Sequence, residues 1–146
     1  LDTVGAFVGP SIAMALMFCS LGNYRLVFWL AVIPAFMAVA TGKSRRGLDH
    51  CLAMHGLSAH FISLQTADDH PSKPHPAMLE AALAECGVGP EAAVMIGDTV
   101  YDIEMGCAAG VRALGVGWGY HEPAELMVAG AAAVAGNAAT LLEMLP

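Results

Sequence analysis

Two carboxylates four residues apart, Asp98 and Asp102, follow a short apolar run that ends at Gly97. In Met95-Ile-Gly-Asp-Thr-Val-Tyr-Asp102, the run Ala92 to Ile96 predicts a buried strand, and the acids fall at the mouth of the next helix. Hard oxygen donors in that place suit Mg2+, which takes one or two carboxylates and leaves room for phosphate and water. The crevice beyond the C-terminal ends of parallel strands is also where open α/β sheets bind ligands. The plain alternative is a strand-to-helix turn in which Asp98 caps the helix.

Two other places carry related chemistry. Met37 to Ala40 is an apolar run entering Thr41-Gly-Lys-Ser44. A P-loop is ruled out, because Met37 stands where the first glycine of that motif belongs. What remains is a strand ending in a hydroxyl and in exposed backbone N–H groups, so Thr41 and Gly42 are candidate phosphate donors at a helix N-terminus. The plain alternative for Thr41 is an N-cap. Lys73 stands in Ser-Lys-Pro-His-Pro, where two prolines stiffen the chain. Held there, its ammonium is a fixed positive charge for a phosphate; without a partner motif it is a solvated loop lysine. His70 and His75 with Asp68 and Asp69 fit no common zinc spacing. The glycines at 115, 117 and 119 lack the dinucleotide-binding spacing.

The elements needed to place these groups alternate along the chain. After the strand at 37–40 comes a helix from about Ser44 to His55, stopped by Gly56. Phe61 to Leu64 predicts a strand, Thr66 to His75 a polar loop, and Pro76 to Cys86 a helix with proline in its first turn. Beyond the strand at 92–96, the expected elements are a helix over 102–109, a strand over 112–116, a helix over 122–129, a strand over 132–134 and a helix over 138–145. This β-α alternation predicts a Rossmann-like parallel sheet with helices on both faces.

Composition separates the front of the chain from the rest. Mean hydropathy is +0.61 and 13% of residues are charged, and residues 1–40 hold one acid, Asp2, and one base, Arg25. Thr3 to Tyr24 is an uncharged run about as long as a bilayer span, and Leu26 to Gly42 is a shorter second run. Lys43, Arg45 and Arg46 follow, as expected of a cytoplasmic flank. Two apolar helices, with membrane attachment through residues 3–40, are therefore one expectation for this end; a pair of buried soluble helices is the other. The net charge of −7 argues against nucleic acid as a partner. Cys19, Cys51, Cys86 and Cys107 show no close pairing, which predicts reduced, buried thiols and a cytoplasmic setting for residues 41–146.

Two resemblances join these observations. Val39-Ala-Thr-Gly-Lys-Ser44, Ser72-Lys-Pro-His-Pro76 and Ile96-Gly-Asp-Thr-Val-Tyr-Asp102, in that order, resemble the second, third and fourth motifs of the haloacid dehalogenase (HAD) superfamily, in its phosphoglycolate phosphatase-like branch. The resemblance implies that Thr41 binds the transferring phosphoryl group, that Lys73 steadies nucleophile and phosphate, and that Asp98 and Asp102 hold Mg2+. It implies a small phosphorylated metabolite as substrate. It also implies a first motif, Asp-x-Asp-x-Thr, on a central first strand upstream of Thr41. The only acid there is Asp2, which lacks a second aspartate and a preceding strand, so no nucleophile is assigned. Gly5-x-x-x-Gly9-Pro10 and Tyr24-Arg-Leu-Val-Phe-Trp-Leu-Ala-Val-Ile-Pro34 resemble two adjacent helices of a major facilitator superfamily transporter, and a lone helix pair cannot transport.

The resulting expectation is a composite. Residues 1–36 form an apolar helical hairpin. Residues 37–146 form a partial HAD-like core lacking its first strand, with negligible phosphatase turnover. Other classes consistent with the residues are a membrane-tethered module that binds phosphate or metal and a soluble interaction protein.

Overall fold

The computed structural model describes residues 37–145. The expected helix pair, the transporter-like stretch and Asp2 lie outside the described residues. Within them, five strands alternate with five helices. The strands are β1 (Ala38–Thr41), β2 (Ser63–Thr66), β3 (Val94–Gly97), β4 (Arg112–Val116) and β5 (Ala133–Ala135). The helices are α1 (Arg45–Met54), α2 (Ala77–Cys86), α3 (Val100–Ala108), α4 (Pro123–Val128) and α5 (Ala138–Met144), with a 3-10 turn at Pro90–Ala92. Among the described residues no helix is long and apolar enough to cross a membrane.

All strand pairing is parallel, in the α/β arrangement expected. β1 pairs with β2, placing Thr41 opposite Thr66. β3 pairs with β4, placing Gly97 opposite Gly115, and β4 pairs with β5. One expectation needs correcting: the strands form a two-stranded and a three-stranded sheet, with no ladder joining β1 to β3 among the described residues. The break fits a core whose central first strand is not among those residues. One consequence is that Ile96, in the middle of a core strand, is 42% exposed.

Side chains join the two sheets. Met78 and Leu79 of α2 cluster with Met105 of α3 and Val111. Ala40 at the end of β1 and Met95 of β3 both pack against that cluster. Met78 and Met105 are fully buried, each contributing about 1.5–3 kcal/mol. A net backbone hydrogen bond contributes only about 0.5–1.5 kcal/mol. Among the described residues, apolar packing is therefore what joins the two sheets. A second cluster, Ile103, Ala113, Leu126 and Ala131, seats α3 and α4 against β4.

Helix ends follow local sequence chemistry. Ser44 caps α1 by accepting from the Gly47 N–H at 3.3 Å. α2 ends at Gly87 in the left-handed region. Asn137 caps α5 by accepting from the Thr140 N–H at 3.0 Å.

Several element boundaries differ from expectation. β2 runs 63–66 and not 61–64, because its buried residues are polar: Gln65 Nε2 donates to Ser63 Oγ at 2.9 Å, and Gln65 Oε1 lies 2.7 Å from His70 Nε2. An apolar-run criterion misses a strand whose buried side chains are polar, Ser63 and Gln65 bonded to each other and Thr66 with a hydroxyl that has no partner among the described residues. β3 starts at 94 because the 3-10 turn occupies 90–92. Residues 38–41 pair with β2 as a strand, so the end of the second apolar run is not helical. The thiols also differ from expectation: Cys51 and Cys107 are exposed and Cys86 is half-buried, each on a helix, where an outward position needs no apolar neighbour.

Candidate functional site

The C-terminal ends of parallel strands converge on one edge, and there a cavity of ≈ 380 Å³ opens. Gly42 reaches it from the end of β1, and Ser72 and Lys73 from the loop before α2. Asp98, Thr99, Tyr101 and Asp102 line it as well. Backbone bonds tie the supporting loops together: the Ala67 N–H donates to the Lys43 carbonyl at 3.4 Å. The Arg45 N–H donates to Asp68 Oδ2 at 2.8 Å.

Glycine lets the strand end meet the helix. A Cβ on Gly97 would lie 2.2 Å from Asp102 Cβ, closer than atoms can approach without displacement. Asp102 sits at the third position of α3 and completes a capping box with Thr99. Its Oδ2 accepts from the Thr99 N–H at 3.2 Å and from the Thr99 hydroxyl at 2.7 Å. Thr99, and not Asp98, is therefore the N-cap, because the helix starts two residues before Asp102.

The other oxygen of Asp102 takes the lysine. Lys73 Nζ donates to Asp102 Oδ1 at 2.6 Å, with side-chain exposures of 19% and 8%. So little water reaches this pair that its attraction is screened less than that of a surface pair. The loop lysine is thus fixed at the cavity wall.

Asp98 is placed differently. Its Oδ2 accepts from the Tyr120 N–H at 3.1 Å, and no hydrogen bond among the described residues engages its Oδ1. The donor set suits a hard divalent cation, since one free carboxylate oxygen beside an open cavity is what Mg2+ commonly takes from protein. No cluster of three or more His, Cys, Asp or Glu capable of holding a metal occurs among the described residues.

Of the residues singled out by sequence, Gly42, Lys73, Asp98 and Asp102 meet at this cavity. Thr41 ends β1 beside them without lining it; its hydroxyl accepts from the Lys43 N–H at 3.2 Å. His70 pairs with Gln65, and His75 Nδ1 accepts from the Ala77 N–H at 3.2 Å. Sequence reasoning missed Ser72, Tyr101 and the segment Gly119-Tyr120-His121. The last had a usable signal: it follows a parallel strand, so it had to emerge at the ligand-binding edge.

Comparison with known proteins bears on this geometry. A family model described as "Haloacid dehalogenase-like hydrolase" matches residues 31–116. Pyrophosphatase PpaX of Bacillus pumilus is 39% identical over 83 residues, covering 56% of this chain and 38% of that protein. The protein named "Probable phosphatase IndB" of Dickeya dadantii is 38% identical over 95 residues, covering 64% of this chain and 41% of that protein. The chain thus spans about two-fifths of the length of these relatives. A crystal structure from Lactobacillus plantarum, carrying a phosphoglycolate phosphatase designation, matches with a TM-score of 0.68 at 25% identity, covering 84% of this chain and 59% of that one.

Proposed function

Because the chain belongs to the haloacid dehalogenase-like hydrolase family, we propose that its cavity is a Mg2+-dependent phosphomonoester hydrolase site of the phosphoglycolate phosphatase type. The observation that carries this is the presence, at one cavity, of a lysine fixed by a carboxylate and of a second carboxylate with a free oxygen. The lysine attracts a phosphate, and the free oxygen attracts a cation that neutralises it.

Each residue has a role. Lys73 places a positive charge beside the phosphate oxygens, and Asp102 keeps that charge in position. The Gly42 backbone, which lines the cavity, is the phosphate-side donor at the end of β1, with the Thr41 hydroxyl next to it outside the lining. Asp98 offers Mg2+ an oxygen directly, and Asp102 completes the acidic side of the site through its pairing with Lys73. When bound, Mg2+ supplies electrostatic stabilisation of the charge that builds on the phosphoryl group. The substrate is a small phosphorylated metabolite, and residues 41–146 work in the cytoplasm. Residues 1–36 are a separate unit from the phosphatase-like core at 37–146.

Among the described residues the carboxylates lining the cavity are Asp98 and Asp102, both of which have other roles, and a covalent step needs a further carboxylate held within bonding reach of phosphorus. Because the sequence carries no Asp-x-Asp-x-Thr motif upstream of Thr41, the expectation for the 146-residue chain alone is Mg2+ and phosphate binding with negligible phosphomonoester hydrolysis. The test is p-nitrophenyl phosphate hydrolysis with Mg2+ and with EDTA, alongside calorimetry with inorganic phosphate. Negligible turnover is expected, with Mg2+-dependent phosphate binding that Lys73→Met abolishes. Robust Mg2+-dependent turnover abolished by Asp98→Asn would refute the inactivity. Phosphate binding indifferent to Lys73→Met would refute the site.

A further inference from the structure

The loop leaving β4 makes three hydrogen bonds to the turn that carries Asp98. The Tyr120 N–H donates to Asp98 Oδ2 at 3.1 Å. The His121 N–H donates to the Asp98 carbonyl at 3.1 Å. In return, the Val100 N–H at the start of α3 donates to His121 Nδ1 at 3.0 Å. The approach is close: a Cβ on Gly119 would lie 2.0 Å from Asp98 Cβ and 2.8 Å from its Oδ2. The His121 ring is itself fixed, edge-on to Tyr101 with centroids 6.1 Å apart and edge-on to Tyr120 at 5.0 Å.

Nothing in the immediate turn does this work. Thr99, next to Asp98, spends its hydroxyl and its N–H on Asp102. Lys73 is also taken by Asp102. The loop from β4 is thus what determines where Asp98 stands and which of its oxygens is occupied. With Oδ2 taken by the Tyr120 N–H, Oδ1 is the oxygen left for a ligand.

We infer that His121 is a positioning residue for Asp98: its Nδ1 and backbone N–H hold the Asp98–Val100 turn so that one carboxylate oxygen stays presented to a divalent cation. This rests on the proposed role of Asp98 as an oxygen donor. The chemistry is that of an outer hydrogen-bond partner, whose loss typically weakens metal affinity about 10–100-fold.

The experiment measures Mn2+ binding to the full chain by electron paramagnetic resonance of free Mn2+, at a temperature where every variant is folded by circular dichroism. His121→Phe keeps a ring between the two tyrosines and removes the acceptor. His121→Asn keeps an acceptor at the same distance from the backbone. About tenfold weaker binding is expected for His121→Phe, with near wild-type binding for His121→Asn. Gly119→Ala, which pushes the loop off Asp98 while leaving His121 intact, weakens binding as well and replaces His121→Phe if that variant does not fold. Wild-type affinity in His121→Phe, or in Gly119→Ala where it stands in, overturns the inference, as does His121→Asn binding as weakly as His121→Phe. Asp98→Asn separates the two levels. If it binds Mn2+ like wild type, the donor role of Asp98 fails; if it loses binding while the loop variants keep theirs, only the positioning role fails.

Discussion

Removing the charge of Asp102 tests whether the lysine is held as described. Asp102 accepts three hydrogen bonds, one from Lys73 at 2.6 Å and two from Thr99 at 3.2 and 2.7 Å. Asp102→Asn keeps an oxygen for Thr99 and loses the ionic bond, a cost of about 1.5–3 kcal/mol. Asp102→Ala also removes half of the capping box, adding about 1 kcal/mol. Lys73→Met leaves a carboxylate that is 8% exposed facing a methyl group. Stripping one partner from a buried pair costs about 3–5 kcal/mol. Here the two Thr99 bonds remain and the lysine is 19% exposed, so about 2–3 kcal/mol is expected. Urea unfolding of the wild type, the Asp102→Asn and Lys73→Met variants and the double variant gives the coupling between the two side chains. It should be about 1.5–2.5 kcal/mol. A coupling below about 1 kcal/mol, the range of a surface pair, would show that water screens the contact. Lys73 would then be an ordinary loop lysine.

Two other outcomes follow from the packing and from the thiols. Gly97→Ala should destabilise by about 1–3 kcal/mol in the same unfolding assay, because the new Cβ would lie 2.2 Å from Asp102 Cβ, which three hydrogen bonds hold in place; an unchanged midpoint would show that the turn relaxes freely. Burial, and secondarily the negative charge of Glu85, push the Cys86 thiol up from its usual range. A raised value means less thiolate at a given pH, so mass-spectrometric mapping of iodoacetamide labelling should find Cys86 modified later than the exposed Cys51 and Cys107. Cys86 reacting first would contradict this.

How much was legible in the sequence varied with the kind of signal. The order of strands and helices was readable, because glycine stops, prolines in first turns and apolar runs are local signals that bear on each element separately. The same holds for Gly42, Lys73, Asp98 and Asp102 as site candidates, since strand-to-loop placement brings them to one edge of any parallel sheet. Polar strand β2 was misplaced by two residues, because Ser63 and Gln65 are buried in satisfied pairs that no hydropathy pattern can express.

Tertiary structure alone decided the rest, because it depends on distances between residues far apart in the chain. Spacing made Asp98 and Asp102 look equivalent. Folding gives Asp102 to Lys73, 29 residues away, and Asp98 to the Tyr120 N–H, 22 residues away. The ambiguous run at 38–40 became a strand because β2 lay alongside to pair with it. Local sequence can specify which groups stand at the end of a strand. Which oxygen of a carboxylate stays free depends on what the rest of the chain brings against it.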